Sequence, residues 1–252
     1  MKKRLIAYPL VAILLFSFYQ YGRGIWYPIA LKVIGKQTTS EVIDTYGDKT
    51  KSNLSPLFSK AGLSYPPKKL ALVAFKDTEI LELWASKDDV NYSLITQYPI
   101  KAASGILGPK LKEGDRQVPE GIYKIIDFNP NSSYHLSMKL NYPNSYDLKH
   151  ANAEGRDQPG TNIFIHGSSV SIGCLAMGNP AIEQLFSLVY ATGKSNTSVL
   201  ISPTDPSKNR LAVPKDTPTW TSDLYEKITY QYSRINSKYN KCKHQECGVS
   251  SL

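Results

Sequence analysis

Residues 163–177 read Ile163-Phe164-Ile165-His166-Gly167-Ser168-Ser169-Val170-Ser171-Ile172-Gly173-Cys174-Leu175-Ala176-Met177 and hold an imidazole and a thiol in one short stretch. An apolar strand delivers His166 at its end, a Gly/Ser-rich turn follows, and Cys174 arrives just ahead of a helix. Cysteine attacks as the thiolate, so it needs a neighbouring base to take its proton. His166 is of the right type. Glycine before the nucleophile lets a substrate carbonyl approach the backbone, and amides at the turn can form an oxyanion hole. Ser171 can hydrogen-bond within the turn and fix its shape. These types at this spacing read as acyl chemistry through a thiol. The alternative at this level is a buried structural cysteine, because free cysteine is often buried.

The elements that must position this pair are mostly strands. The pattern sets in at Lys69, with residues 70–75, a Lys76-Asp77-Thr78 turn, and residues 80–85, where Leu81, Leu83 and Ala85 alternate with Glu82 and Trp84. Asp88-Asp89 turns the chain into residues 92–100, and residues 121–128, 134–140, 162–166 and 198–202 read as further strands. One helix has Asn179 as N-cap and Pro180 at its first position, and stops before Gly193. Upstream, Thr39 or Ser40 can cap a short helix to about Tyr46, and residues 55–61 form another before Gly62. Beyond Pro203, Pro206, Pro214 and Pro218, the residues Leu224, Ile228, Ile235 and Tyr239 recur at helical spacing, which predicts an amphipathic helix packed on the domain. The expectation is a mainly β domain over 66–205, preceded by an N-terminal segment (1–36) and a short helical linker (37–65). A Pro-rich link and helical tail (206–252) follow it.

The chain has 252 residues, 41% hydrophobic and 20% charged, which excludes wholesale disorder. Its net charge of +9 lies at the ends. Residues 1–40 carry Lys2, Lys3, Arg4, Arg23, Lys32 and Lys36 with no acid; residues 234–252 carry Arg234, Lys238, Lys241 and Lys243 against Glu246. The segment between is neutral, so it has no electrostatic footprint for a phosphate backbone, and nucleic acid is set aside as a partner. Three cations followed by an apolar run over 5–19 suit an export signal or membrane anchor, with the charged end kept cytoplasmic. The chain after it is then exported to the periplasm, with residues 5–34 as a candidate inner-membrane anchor. Whether the N-terminus is cleaved stays open. Three cysteines leave at least one thiol unpaired. Cys242 and Cys247 flank His244 in the tail, and a small disulfide or plain tail is preferred there over a metal site.

The stretch His166-Gly167 and then Ser171-Ile172-Gly173-Cys174-Leu175-Ala176-Met177 resembles the active-site signature of the YkuD-type L,D-transpeptidase family, in its YafK-like branch. A second block also resembles that family: Gly105-Ile106-Leu107-Gly108-Pro109-Lys110, followed by Glu113-Gly114-Asp115-Arg116-Gln117-Val118-Pro119-Glu120-Gly121-Ile122-Tyr123, with Val118 where threonine is usual. The resemblance implies a β-sandwich-like catalytic domain acting on peptidoglycan stem peptides through a cysteinyl acyl-enzyme, with no metal or organic cofactor. On this chain it makes Cys174 the nucleophile, His166 its base, Ser171 a supporting residue, and the Gly173 and Cys174 amides the oxyanion donors. Ile172 stands where the larger family commonly has a second histidine, and Ala176 where it has an arginine. Substrate contacts then fall to Gly167 and to Arg116 or Arg156, each arginine having a solvated loop position as its alternative. An amine from another stem peptide or a lipoprotein would make the enzyme a transpeptidase. Water would make it a hydrolase that releases peptide or protein from peptidoglycan, and a non-catalytic peptidoglycan-binding module is the rival class.

Overall fold

The structure, a computed structural model, describes residues 2–237. Eight strands form one mixed sheet: β1 (Lys69–Phe75), β2 (Ile80–Ser86), β3 (Tyr92–Pro99), β4 (Gly121–Ser132), β5 (His135–Leu140), β6 (Phe164–His166), β7 (Leu175–Ala176) and β8 (Thr197–Ser202). Their spatial order is β3-β2-β1-β8-β4-β5-β6-β7. Among the described residues six α-helices accompany them: α1 (Lys2–Tyr21), α2 (Arg23–Ile34), α3 (Thr39–Lys60), α4 (Ser145–Ala153), α5 (Asn179–Thr192) and α6 (Thr221–Ile235).

Strand β1, held between β2 and β8, is an unbroken apolar run after Lys69, as expected of a strand buried on both faces. Leu70, Leu72 and Ala74 face one core with residues of α3 and α5, including Leu54, Phe58, Leu185 and Phe186. Ala71, Val73 and Phe75 face a second core under α6, where Leu224, Ile228, Tyr232 and Ile235 pack. The amphipathic tail helix thus closes the far face of the sheet, as its spacing predicted. Tyr239, Cys242, His244 and Cys247 lie outside the described residues.

The sandwich expected from the sequence is instead one continuous sheet. The strand β4 is long enough to belong to both halves: Gly121, Ile122, Tyr123 and Lys124 pair with β8, while the stretch from Ile125 to Ser132 pairs with β5. Register shifts between Ile125 and Asp127 and between Asn129 and Ser132 accompany its passage from one half to the other. The second half carries β6 and β7, and with them the candidate site.

Residues 39–60 form a single helix where the sequence suggested two short ones. Thr38 caps it: its Oγ1 accepts from Glu41 N–H at 3.2 Å, and Glu41 accepts from Thr38 N–H at 2.6 Å. Gly47 and Pro56 interrupt the helical pattern in the sequence, yet Val42, Thr50, Leu54 and Phe58 are all buried on one face, and that burial carries the helix through both. This segment is therefore part of the folded body. The helix α4 was not anticipated, although Asn144 and Asp147 form a capping box at its start.

At the N-terminus, α1 and α2 leave Ile13, Leu14, Leu15, Phe16, Ile25 and Ile29 exposed. No helix among the described residues is long and apolar enough to cross a membrane. The expected anchor thus has no spanning helix among the described residues to support it. The apolar run over 5–19 spans only about 22 Å at 1.5 Å per residue, against about 30 Å of hydrocarbon.

Candidate active site

Both candidate catalytic residues sit at the end of the sheet. Strand β6 pairs antiparallel with β5, Ser137 opposite His166, and parallel with β7, His166 opposite Ala176. Leu175 stands opposite Ile165, so Cys174 comes one step earlier. Because side chains alternate along a strand, that step places Cys174 on the face of the sheet that carries Phe164 and His166. The three line one cavity of about 650 Å³, shared with Tyr134, Ser137 and Ser171. No Lys, Arg, Asp or Glu lies in its wall.

His166 is only 3% exposed. Its Nδ1 lies 2.6 Å from Gly167 O. A carbonyl can only accept, so Nδ1 carries the proton and Nε2 is left as the basic nitrogen. The Tyr134 ring lies against the imidazole with 5.0 Å between centroids. Gly167 works by being small: a Cβ there would meet Tyr134 O at 2.8 Å, Asn179 Oδ1 at 2.9 Å and Ile182 Cγ2 at 2.9 Å. It packs behind the histidine and is absent from the cavity wall.

Ser171 fixes the turn as its type suggested. Its Oγ accepts from Cys174 N–H at 3.1 Å and donates to Cys174 O at 2.7 Å. The Gly173 amide donates to Ser104 Oγ at 2.6 Å. Both amides expected to receive an oxyanion are thus engaged by hydroxyls, so neither N–H is free for one in this arrangement. The Cys174 thiol points its Sγ at Asn162 O, 3.8 Å away.

Burial pushes the Cys174 thiol above its ordinary range, against smaller opposing pulls from the Phe164 backbone and the Lys110 ammonium. Burial also holds the His166 imidazole below its ordinary value, partly offset by the bond to Gly167 O. Both shifts favour a neutral thiol and a neutral imidazole in the resting site. A raised thiol pKa leaves less thiolate at neutral pH than a free cysteine has. We therefore expect the rate of iodoacetamide alkylation at Cys174, followed by mass spectrometry, to keep rising beyond about pH 8.5, the ordinary thiol value. A plateau reached near pH 7 would show instead that the ion pair is already formed.

The second family-like block forms a braced loop beside this turn. Lys76 Nζ reaches into it and donates to Ile106 O at 2.7 Å, Gly108 O at 3.2 Å, Val118 O at 3.1 Å and Glu120 Oε1 at 2.9 Å. Glu120 is 1% exposed; it also accepts from Gly108 N–H at 2.7 Å and from the Tyr225 hydroxyl at 2.8 Å. Lys110 pairs with Asp115, whose carboxylate accepts from the amides of Leu111, Lys112 and Gln117.

Neither arginine singled out for substrate contact lies in the cavity wall. Arg116 is exposed, with φ +57, and contributes its carbonyl to Ser104. Arg156 is bound to Glu154 at 2.6 Å and to Leu111 O at 2.6 Å, so it braces the loop. The structure adds residues that sequence reasoning passed over: Tyr134 against the imidazole, Ser104 behind the turn, and Asn179. Expected as an N-cap, Asn179 instead accepts from Ser168 N–H at 2.8 Å, and Gly178 takes the cap position.

Residues 79–201 match the profile of the L,D-transpeptidase catalytic domain, YkuD. Over 134 residues the chain is 35% identical to a protein of Escherichia coli K12 named "Putative L,D-transpeptidase YafK", covering 51% of this chain and 52% of that one. The chain thus spans about half the length of the curated relatives it matches. Among solved structures, the helical cell shape determining protein Pgp2 of Campylobacter jejuni overlaps at TM-score 0.45 and 22% identity, covering 68% of this chain and 58% of that one. Bd1075 of Bdellovibrio bacteriovorus overlaps at TM-score 0.41 and 22% identity, covering 67% of this chain and 55% of that one. Residues 79–201, with His166 and Cys174 inside the matched stretch, are similar to the L,D-transpeptidase catalytic domain family.

Proposed function

We propose that this protein is an exported cysteine acyltransferase that acts on peptidoglycan stem peptides. The observation that carries the reading is that His166, at the end of β6, and Cys174, just before β7, line a single cavity. In the proposed reaction Nε2 of His166 takes the Cys174 proton as the thiolate attacks a stem-peptide carbonyl. The imidazolium then gives that proton to the leaving amine, and a thioester remains on Cys174. An amine acceptor, deprotonated by the same imidazole, restores an amide and frees the thiol; water in its place gives a carboxylic acid. Transpeptidation is the primary reading, and hydrolysis differs from it only in this second half.

The wall supports this choice of substrate by what it offers: Asn129, Ser132, Ser133 and Ser137 can meet peptide groups, and Tyr134 and Phe164 can cover apolar stems. With no charged side chain in the wall, the reacting part of the substrate is held by hydrogen bonds and ring contacts, not by an ion pair. Mass spectrometry of muropeptides incubated with the purified protein, with and without an acceptor peptide, tests the reading. Cross-linked products only with acceptor mark a transpeptidase, shortened stems in both marks a hydrolase, and unchanged muropeptides in both count against an enzyme of this class.

Export is proposed from the N-terminus. The Lys2-Lys3-Arg4 end followed by apolar residues suits a leader whose charged side stays in the cytoplasm, and the uncovered side chains of α1 and α2 support an apolar environment for it. A reporter active only in the cytosol, fused after Leu252, is expected to be silent. Strong reporter activity would place the domain inside and remove its access to the cell wall.

A further inference from the structure

The turn that carries the nucleophile and the strand after it are tied to the segment over 101–118. Three ties are backbone only: Lys101 N–H donates to Ala176 O at 2.7 Å, Ala102 N–H to Ala176 O at 3.4 Å, and Ala176 N–H to Ala102 O at 3.0 Å. Another depends on a side chain. Ser104 Oγ accepts from Gly173 N–H at 2.6 Å and donates to Arg116 O at 2.6 Å. A hydroxyl has one proton, so donation to Arg116 O turns a lone pair toward Gly173, and each bond fixes the direction of the other.

What this bond holds is the residue before the thiol. Gly173 has φ +83, a left-handed conformation that glycine takes without steric cost. The direction of its N–H sets the plane of the preceding peptide, and through that φ it sets how the chain enters Cys174. Neither Ser104 nor Gly173 contributes to the cavity wall, so the bond lies behind the reacting face. On its other side the hydroxyl is anchored to a braced loop: Asp115 is held by Lys110 and three amides, and Gln117 Oε1 accepts from Ile106 N–H at 2.7 Å. The first residue of that loop block, Gly105, leaves no room for a side chain, since a Cβ there would meet Gln117 Oε1 at 1.7 Å.

We propose that Ser104 is a positioning residue for Cys174: its hydroxyl carries the fixed geometry of the braced loop to the nucleophile turn and holds the thiol at the reacting face. The proposal rests on the reading of Cys174 as the nucleophile. It also gives the second family-like block a part in catalysis without substrate contact, because that block is the frame against which the turn is set.

The test uses the purified full chain and muropeptide turnover. Misplacing a reacting group by about 1 Å can cost roughly 10²-fold. On that scale Ser104→Ala is expected to lower kcat by about 10- to 100-fold with KM within about twofold. Ser104→Thr, which keeps the hydroxyl, is expected to recover most of the loss. Wild-type kcat in Ser104→Ala, or a loss confined to KM, would overturn the proposal. A second measurement needs no variant: the Gly173 amide, followed by NMR in glycine-labelled protein, should exchange slowly with solvent, and exchange at the rate of an open amide would also overturn it. Retained turnover in Cys174→Ser would sink the nucleophile reading instead, while leaving Gly173 protection unchanged, so the two failures can be told apart.

Discussion

Replacing Cys174 by serine is expected to abolish muropeptide turnover while the protein keeps its fold. The turn around it is shaped by bonds that do not involve sulfur: Ser171 Oγ engages the amide and carbonyl of residue 174, and Gly173 is held by Ser104. Serine is nearly isosteric and keeps those backbone groups, so stability should change little. An alcohol, however, is far less acidic than a thiol, and His166 is a weaker base than an ordinary histidine because burial disfavours its cation. Such a base cannot generate enough alkoxide to replace the thiolate. Loss of a nucleophile in comparable acyl-transfer sites costs on the order of 10⁴- to 10⁶-fold in kcat, which sets the expected size. Muropeptide analysis by mass spectrometry reads turnover, and circular dichroism reads the fold. Equal turnover in variant and wild type would remove Cys174 from the mechanism, and an unfolded variant would make it a core residue.

The candidate site could be picked out in the sequence because its residues are local. His166, Ser171, Gly173 and Cys174 fall within one short stretch, and the strand before them announces itself by its apolar residues. The two-sided burial of β1 was legible for the same reason, since an unbroken run such as Leu70-Ala71-Leu72-Val73-Ala74-Phe75 has one economical placement. What escaped depends on residues distant in sequence. Lys76 and Glu120 meet 44 residues apart, and Ser104 and Gly173 meet 69 apart. No periodicity links such pairs. The continuity of α3 escaped because Gly47 and Pro56 are local signals to stop, and the burial that overrides them is tertiary. One missed element was closer to reach: Asn144 with Asp147 is a capping pattern at the start of α4.

The loss of charge from the substrate side follows from the same separation. Arg116 and Arg156 attract notice as candidate carboxylate partners because each is a cation in a loop near the family-like blocks. Arg156 is taken up by Glu154 and Leu111 O, and Arg116 lends its carbonyl to Ser104. The Arg156 side chain braces the loop that frames the turn, whereas Arg116 gives that loop only its backbone carbonyl. Residue type alone gives the charge; the fold decides which surface receives it.

The neutral resting pair makes His166 the decisive residue for separating an enzyme from a binding module. In His166→Ala the thiol loses the only titratable base among its cavity-lining neighbours, so each turnover must find its proton acceptor in solvent. A positioned general base contributes about 10²- to 10⁴-fold, and kcat is expected to fall by that amount. Binding should respond differently. The wall that would hold a stem peptide is built from Asn129, Ser132, Ser133, Tyr134 and Phe164 on β4, the β4–β5 turn and β6, and none of these depends on the imidazole for its backbone position. Peptidoglycan pull-down by the variant should therefore stay close to wild type while turnover collapses. The Tyr134 ring packs on the imidazole, so a modest increase in KM is the accompanying effect if that ring relaxes. The opposite pattern, lost pull-down with no change in whatever turnover the wild type shows, would identify His166 as a binding residue and make the domain a peptidoglycan-recognition module.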